Sequence, residues 1–169
     1  MAFISSGGTV ISFADYDDVY ARDQRLFDAN EGLTDDLIED LLIRATERIL
    51  TKIRSSSWWR SYYIARDNST VFNTVADIPA VNINKIIGRN KDFTDLCVYT
   101  AMNEFVLPMI ADFGNEQNAE RQKMGYYTGK ADSLLTELIT AGDWYDFDGD
   151  ATIETGERSP GQVALKRVR

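Results

Sequence analysis

In the stretch DFDGDATIETGE, Asp146, Asp148 and Asp150 take the first, third and fifth places, Thr152 the seventh and Glu157 the twelfth. Oxygen ligands at that spacing are what a calcium loop uses: short carboxylates, a backbone carbonyl at place seven and a bidentate glutamate that closes the coordination sphere. Ile153 at place eight also suits such a loop. The framework suits it less. Place six, where a glycine normally makes the sharp turn, is Ala151, and Gly149 comes two places early. The loop also wants a helix on each side, yet the incoming helix should end near Gly142, three residues short of it. Pro160 with Gly161 obstructs an outgoing helix. Two readings stand, a Ca2+ ion held by Asp146, Asp148, Asp150 and Glu157 or a solvated acidic turn, and the framework favours the second.

Other reactive chemistry is scarce. The 169 residues contain no histidine and one cysteine, Cys97, which removes Ser-His and Cys-His pairs, histidine-based zinc sites and the commonest general base. Carboxylate or lysine catalysis stays formally open, but no Gly-rich phosphate loop follows a strand-like segment, so no enzyme and no organic cofactor is expected. Cys97, in DLCVYTAMNEF, reads as a small apolar helix residue rather than a reactive thiol. A second candidate constellation is SSSWWRSYY, where Trp58, Trp59, Tyr62 and Tyr63 surround Arg60. Aromatics around a cation can stack on single-stranded nucleic acid. Core or subunit packing is the favoured role for these rings, with another partner contact next.

Charge bears on that choice. The net charge is −9, but Arg158, Lys166, Arg167 and Arg169 give the last twelve residues +4, which leaves −13 on the other 157. So acidic a body repels phosphates, and the tail is the one basic patch. With Val163, Leu165 and Val168 as its apolar spots, that tail cannot offset its own ordering entropy unaided. It suits a partner surface; the bland alternative is a disordered, solubilising end. No apolar run is long enough to span a membrane and the N-terminus lacks a secretory pattern, so a soluble, intracellular protein is expected.

The elements that must position these groups read as helices in one body. Residues 1–12, with SSGG, form a flexible or extended arm. Ser12 is a plausible cap for a short helix that carries Val19 and Phe27 and ends at Gly32. In LTDDLIEDLLIRATERILTKIRSS, Thr34 caps and Leu37, Leu41, Ala45, Ile49 and Ile53 form a stripe widened by Ile38 and Leu42. After a mixed segment with turns at 67–70 and at Pro79, a helix capped by Asp92 or Thr94 turns Leu96, Ala101, Phe105 and Met109 inward, and Pro108 kinks or ends it. A long last helix carries Met124, Tyr127, Ala131, Leu134, Leu135, Leu138 and Ile139 and stops at Gly142. Gly125 and Gly129 inside it permit close packing by a neighbour, although a harmless weak spot is the favoured reading. The expected fold is therefore all-α: a helical bundle over 13–142, with an acidic turn and basic tail over 143–169.

The order DYDDVYARDQRLF, capped amphipathic helix, WWRSYY, DFTDLCVYTAMNEFVLPMIADFGNE, KMGYYTGKADSLLTELI, GDWYDFDGD and basic tail resembles the head-tail connector (adaptor, or head-completion) proteins of tailed bacteriophages, over most of the chain from about Phe13. The resemblance implies a structural, non-catalytic protein of the virion neck, made in the host cytoplasm and assembled as a ring of about twelve copies beneath the portal protein. It implies that Gly156 to Arg169 docks on the portal, the opposite face receives stopper or tail-terminator proteins, and genomic DNA passes through the lumen without sequence-specific binding. The calcium-like loop is a departure from that pattern.

Overall fold

A computed structural model describes residues 3–66, 69–115 and 117–158 of the chain, which are mostly helical with one two-stranded sheet. The helices are α1 (Tyr16–Arg22), α2 (Gln24–Ala29), α3 (Asp35–Ser55), α4 (Ser57–Arg66), α5 (Asn90–Ala101), α6 (Leu107–Ile110), α7 (Ala119–Ala141) and α8 (Thr155–Arg158). Where the sequence suggests one body, the chain divides into two compact units, Met1–Ile49 with Asn90–Thr136 and Leu50–Arg89 with Glu137–Arg169.

In the first unit, β1 (Ile4–Ser6) and β2 (Thr9–Ser12) pair antiparallel, so most of the expected arm is a hairpin. Gly7 and Gly8 both take positive φ, 59° and 82°, the two-residue turn whose twist matches paired strands. Phe13 follows and is buried; its N–H donates to Thr46 Oγ1 at 3.2 Å and its carbonyl accepts from Thr94 Oγ1 at 2.8 Å. Ser12 is not a helix cap, because its hydroxyl donates to the Ala14 carbonyl at 2.7 Å. Asp15 caps α1 instead, accepting from Asp18 N–H at 3.0 Å while Asp18 accepts from the Asp15 N–H at 3.2 Å.

The α3 stripe is buried at Ile38, Leu42, Ala45 and Ile49, whereas Leu37 is only half-buried. It meets α5 closely enough for the Cys97 thiol to donate to the Leu42 carbonyl at 3.5 Å and to lie 3.4 Å from Thr46 Oγ1. Burial pushes that thiol up to about 11, so it is a protonated core group. The helix containing it begins at Asn90, which places Asp92 and Thr94 inside its first turns rather than at a cap.

The expected apolar side of this helix holds at Leu96 and Ala101 but fails beyond. Met109 is 55% exposed and Phe105 half-buried, while Met102, Val106 and Leu107 are buried. The cause is a π-helical turn over Met102–Val106, where Leu107 N–H donates to the Met102 carbonyl five residues back. Pro108 has no N–H to give and its ring would clash with the preceding turn. The wide turn accommodates the ring and rotates every later side chain off the 3.6-residue phase.

In α7, Tyr127, Ala131 and Leu138 are buried and Met124, Leu134, Leu135 and Ile139 half-buried. Gly125 and Gly129 face open space. None of the described helices is long and apolar enough to cross a membrane.

Candidate functional site

The acidic stretch begins where α7 stops. Gly142 adopts φ 59° and returns its N–H to the Leu138 carbonyl at 3.0 Å, the glycine-terminated helix end that the sequence signals. The chain then enters the second unit's interior through Trp144, Tyr145 and Phe147, all buried. Tyr145 forms an antiparallel bridge with Ile86, and the Asp146 N–H donates to the Lys85 carbonyl at 3.0 Å. The first acidic residue is therefore placed by a two-strand-like contact with a segment some sixty residues upstream.

Asp146 is 4% exposed and Glu157 3%, so the two ends of the loop are interior groups and only its middle is solvated. Asp146 Oδ1 accepts from the Gly149 N–H at 2.6 Å and Oδ2 from the Ala151 N–H at 2.9 Å. Glu157 Oε1 accepts from the N–H groups of Phe147 (2.8 Å) and Asp148 (3.3 Å), and Oε2 from Glu154 N–H at 3.0 Å. Burial works to raise the Asp146 pKa; the Gly149 and Ala151 amides, the Lys85 charge and Asp148 together outweigh it and hold the carboxyl below its ordinary value. Lys85 Nζ itself donates to the Phe147 carbonyl at 2.7 Å, putting a fixed positive charge at the loop's base.

Two of the obstacles read from the sequence resolve locally, while α7 still ends at Ala141, short of the loop. Ala151 takes the left-handed φ of 66° without being glycine, next to Gly149 at 89°. The two amides clamped by Asp146 hold that turn in a conformation that costs an L-residue roughly 1–2 kcal/mol. One helical turn, α8, fits before Pro160 and carries Glu157 back to the loop's start.

One oxygen each of Asp146, Asp148 and Glu157 lies within 4.8 Å of the others. Ligand oxygens about 2.4 Å from a shared calcium lie up to about 5 Å apart across it, so the three fit one hard cation. A carboxylate offers about four lone-pair sites, and the amide bonds leave some of them open on each residue. Asp150 is outside this group: its Oδ1 accepts from the Thr152 N–H (2.8 Å) and hydroxyl (2.7 Å), turned away by the loop's own bend.

The aromatic constellation forms the second unit's core. Trp59 is fully buried, Trp58 and Tyr62 are 8% exposed, and Tyr63 is half-buried. Phe147 stacks on Tyr62 with centroids 3.7 Å apart and lies 5.1 Å from Trp59, while Trp58 lies 4.9 Å from Trp144. Arg60 is on the exposed side of α4, one position round from the rings. A base seeking ring faces at Trp58, Trp59 or Tyr62 meets other aromatics already there.

Of the tail, Arg158 is described and Val163, Leu165, Lys166, Arg167, Val168 and Arg169 lie outside the described residues. The Arg158 carbonyl accepts from Trp58 Nε1 at 3.1 Å, and Gly142 approaches so closely that a Cβ there would stand 2.4 Å from that same oxygen. This anchor, like Lys85, has no local sequence signal, because its partners are separated by up to a hundred residues. Compared with protein-family models, curated proteins and solved structures, the chain matches none.

Proposed function

We propose that this chain is a structural connector (adaptor) subunit of a tailed bacteriophage, assembled as a ring of about twelve copies below the portal. The observation that carries the reading is the fixed root of the basic segment. Trp58 and Gly142 hold Arg158 against the folded body, so residues 159–169 begin from a defined point. Eleven residues in extended form reach about 36–40 Å, enough to grip a neighbouring protein. Val163, Leu165 and Val168 supply anchors, and Lys166, Arg167 and Arg169 pair with acids on the portal. In this reading the acidic body suits a DNA conduit, since a positively lined lumen would hold the genome. Stopper or tail-terminator proteins bind the opposite face.

Deleting Gly161 to Arg169 is expected to abolish co-sedimentation with portal rings of the same phage and to leave helical circular dichroism unchanged. Undiminished co-sedimentation of the truncated protein would count decisively against portal docking.

The carboxylate trio favours a second reading, in which Asp146, Asp148 and Glu157 bind Ca2+. Titration calorimetry on wild type and Asp148→Ala tests it. Asp148 is the exposed member, so its loss spares the fold. Absence of heat above buffer at millimolar calcium ends that reading.

A further inference from the structure

Two consecutive amides of the acidic loop are held by interior carboxylates from its opposite ends. The Asp148 N–H donates to Glu157 Oε1 at 3.3 Å and the Gly149 N–H to Asp146 Oδ1 at 2.6 Å. The dipeptide so held is itself exposed, and Asp148 Oδ1 accepts from the Asp150 N–H at 3.3 Å. Asp148–Gly149 is the one Asp-Gly step in the chain, which contains no Asn-Gly step. In an Asp-Gly step the glycine nitrogen can attack the aspartate Cγ, because no side chain shields it and the backbone turns freely. Gly149 is open in this way: it takes a φ of 89°, and a Cβ built on it would meet nothing nearer than Lys85 Nζ at 3.5 Å.

We propose that Asp148–Gly149 is a site of spontaneous backbone isomerisation whose rate Asp146 controls. In the first step the Gly149 nitrogen bonds to Asp148 Cγ; the carboxyl OH and the amide hydrogen leave as water, and a five-membered succinimide forms. Water then adds back at either imide carbonyl. Opening at Cγ restores aspartate. Opening at the Asp148 main-chain carbonyl breaks its bond to the Gly149 nitrogen, routes the chain through Cβ and Cγ, and leaves that carbonyl as a free carboxylate. No oxidant or other co-reactant is required. Asp146 opposes the first step, because the nitrogen that must attack is the one its carboxylate binds in a charge-assisted hydrogen bond. Attack therefore waits for local opening of the loop. The product carries one extra main-chain carbon between Asp146 and Glu157, which shifts the Asp148 and Gly149 amides off the carboxylates that hold them. Glu157 precedes Arg158, whose carbonyl accepts from Trp58 Nε1, so the change loosens the root of residues 159–169. This inference is independent of the connector reading.

Incubating the full-length protein at neutral pH in chelator, and following the β-linked form of Asp148 by fragmentation mass spectrometry of the loop peptide, tests the proposal. The β-linkage is expected to accumulate at least about tenfold faster in Asp146→Ala than in wild type, and at a rate close to that of wild type unfolded in urea. Asp146→Asn keeps the side chain's shape and one acceptor oxygen without the charge, so it should fall between the two while retaining wild-type circular dichroism. Equal rates in folded and urea-unfolded wild type overturn the proposal. So do equal rates in wild type and both Asp146 variants, or absence of the β-linkage at Asp148 in Asp146→Ala when the unfolded chain forms it. The isomerised fraction, separated by chromatography, should be cut by trypsin after Arg158 at least about threefold faster than unmodified protein. Equal cleavage refutes the coupling to the tail.

Discussion

Replacing Glu157 by alanine removes the acceptor for three backbone N–H groups, at 2.8, 3.3 and 3.0 Å. The Phe147 N–H is fully buried and those of Asp148 and Glu154 partly so. A buried donor left without a partner costs about 1–3 kcal/mol, and weighting the buried amide most heavily gives about 3–5 kcal/mol for the three. For a chain of this length each kcal/mol moves the melting temperature by about 2–4 °C, so Glu157→Ala should melt about 6–20 °C below wild type. Glu157→Gln keeps one oxygen for the Phe147 and Asp148 amides and turns its NH2 toward Glu154, so it should cost about 1–2 kcal/mol. Differential scanning calorimetry in chelator measures both. A Glu157→Ala melt within about 2 °C of wild type would show that this carboxylate does not organise the loop. Repeating the scans in calcium separates structure from ligation: an ion at a hundred times its Kd adds about 2.7 kcal/mol to wild type, and none to the alanine variant.

The same geometry yields three further expectations. Ala151→Gly relieves left-handed strain of about 1–2 kcal/mol against a chain-entropy loss of about 0.5–1 kcal/mol, and should therefore raise the melting temperature slightly. Gly142→Ala forces a Cβ to within 2.4 Å of the Arg158 carbonyl and 2.8 Å of Trp58 Nε1 at a φ of 59°. It should lower stability by about 2 kcal/mol or more, and accelerate proteolysis after Arg158 as the anchor opens. Burial moves the Cys97 thiol from 9.0 to about 11 and the Tyr145 and Tyr127 hydroxyls from 10.0 to about 12. The folded chain thus holds more protons than the unfolded one from pH 9 upward, and urea stability should fall steadily from about pH 9 to about pH 12. At pH 8 a thiol reagent should find no reactive group until the protein is denatured.

Amphipathic period and helix-stop chemistry were legible in the chain. The α3 stripe from Ile38 to Ile53, the end of α7 at Gly142 and the inert setting of Cys97 depend on neighbours within about four residues or on simple burial. Residue spacing likewise named four carboxylates, Asp146, Asp148, Asp150 and Glu157, of which Asp146, Asp148 and Glu157 meet. What spacing did not reach were features set by the backbone's own bends and by distant partners. The π turn before Pro108 moves Phe105 and Met109 out of the core, because a wide turn changes phase without altering composition. Asp150 leaves the carboxylate group because Thr152 offers two donors to it, and Ala151 adopts a glycine-like φ because Asp146 grips the amides around it. The Lys85 charge beneath the loop, the Trp58 bond to Arg158 and the burial of the WWRSYY rings all join segments that only the folded backbone brings together. Local hydrogen bonding and hydrophobic period are written residue by residue. The placement of a charge or the anchoring of a tail is a property of contacts across the chain, and tertiary packing alone decides it.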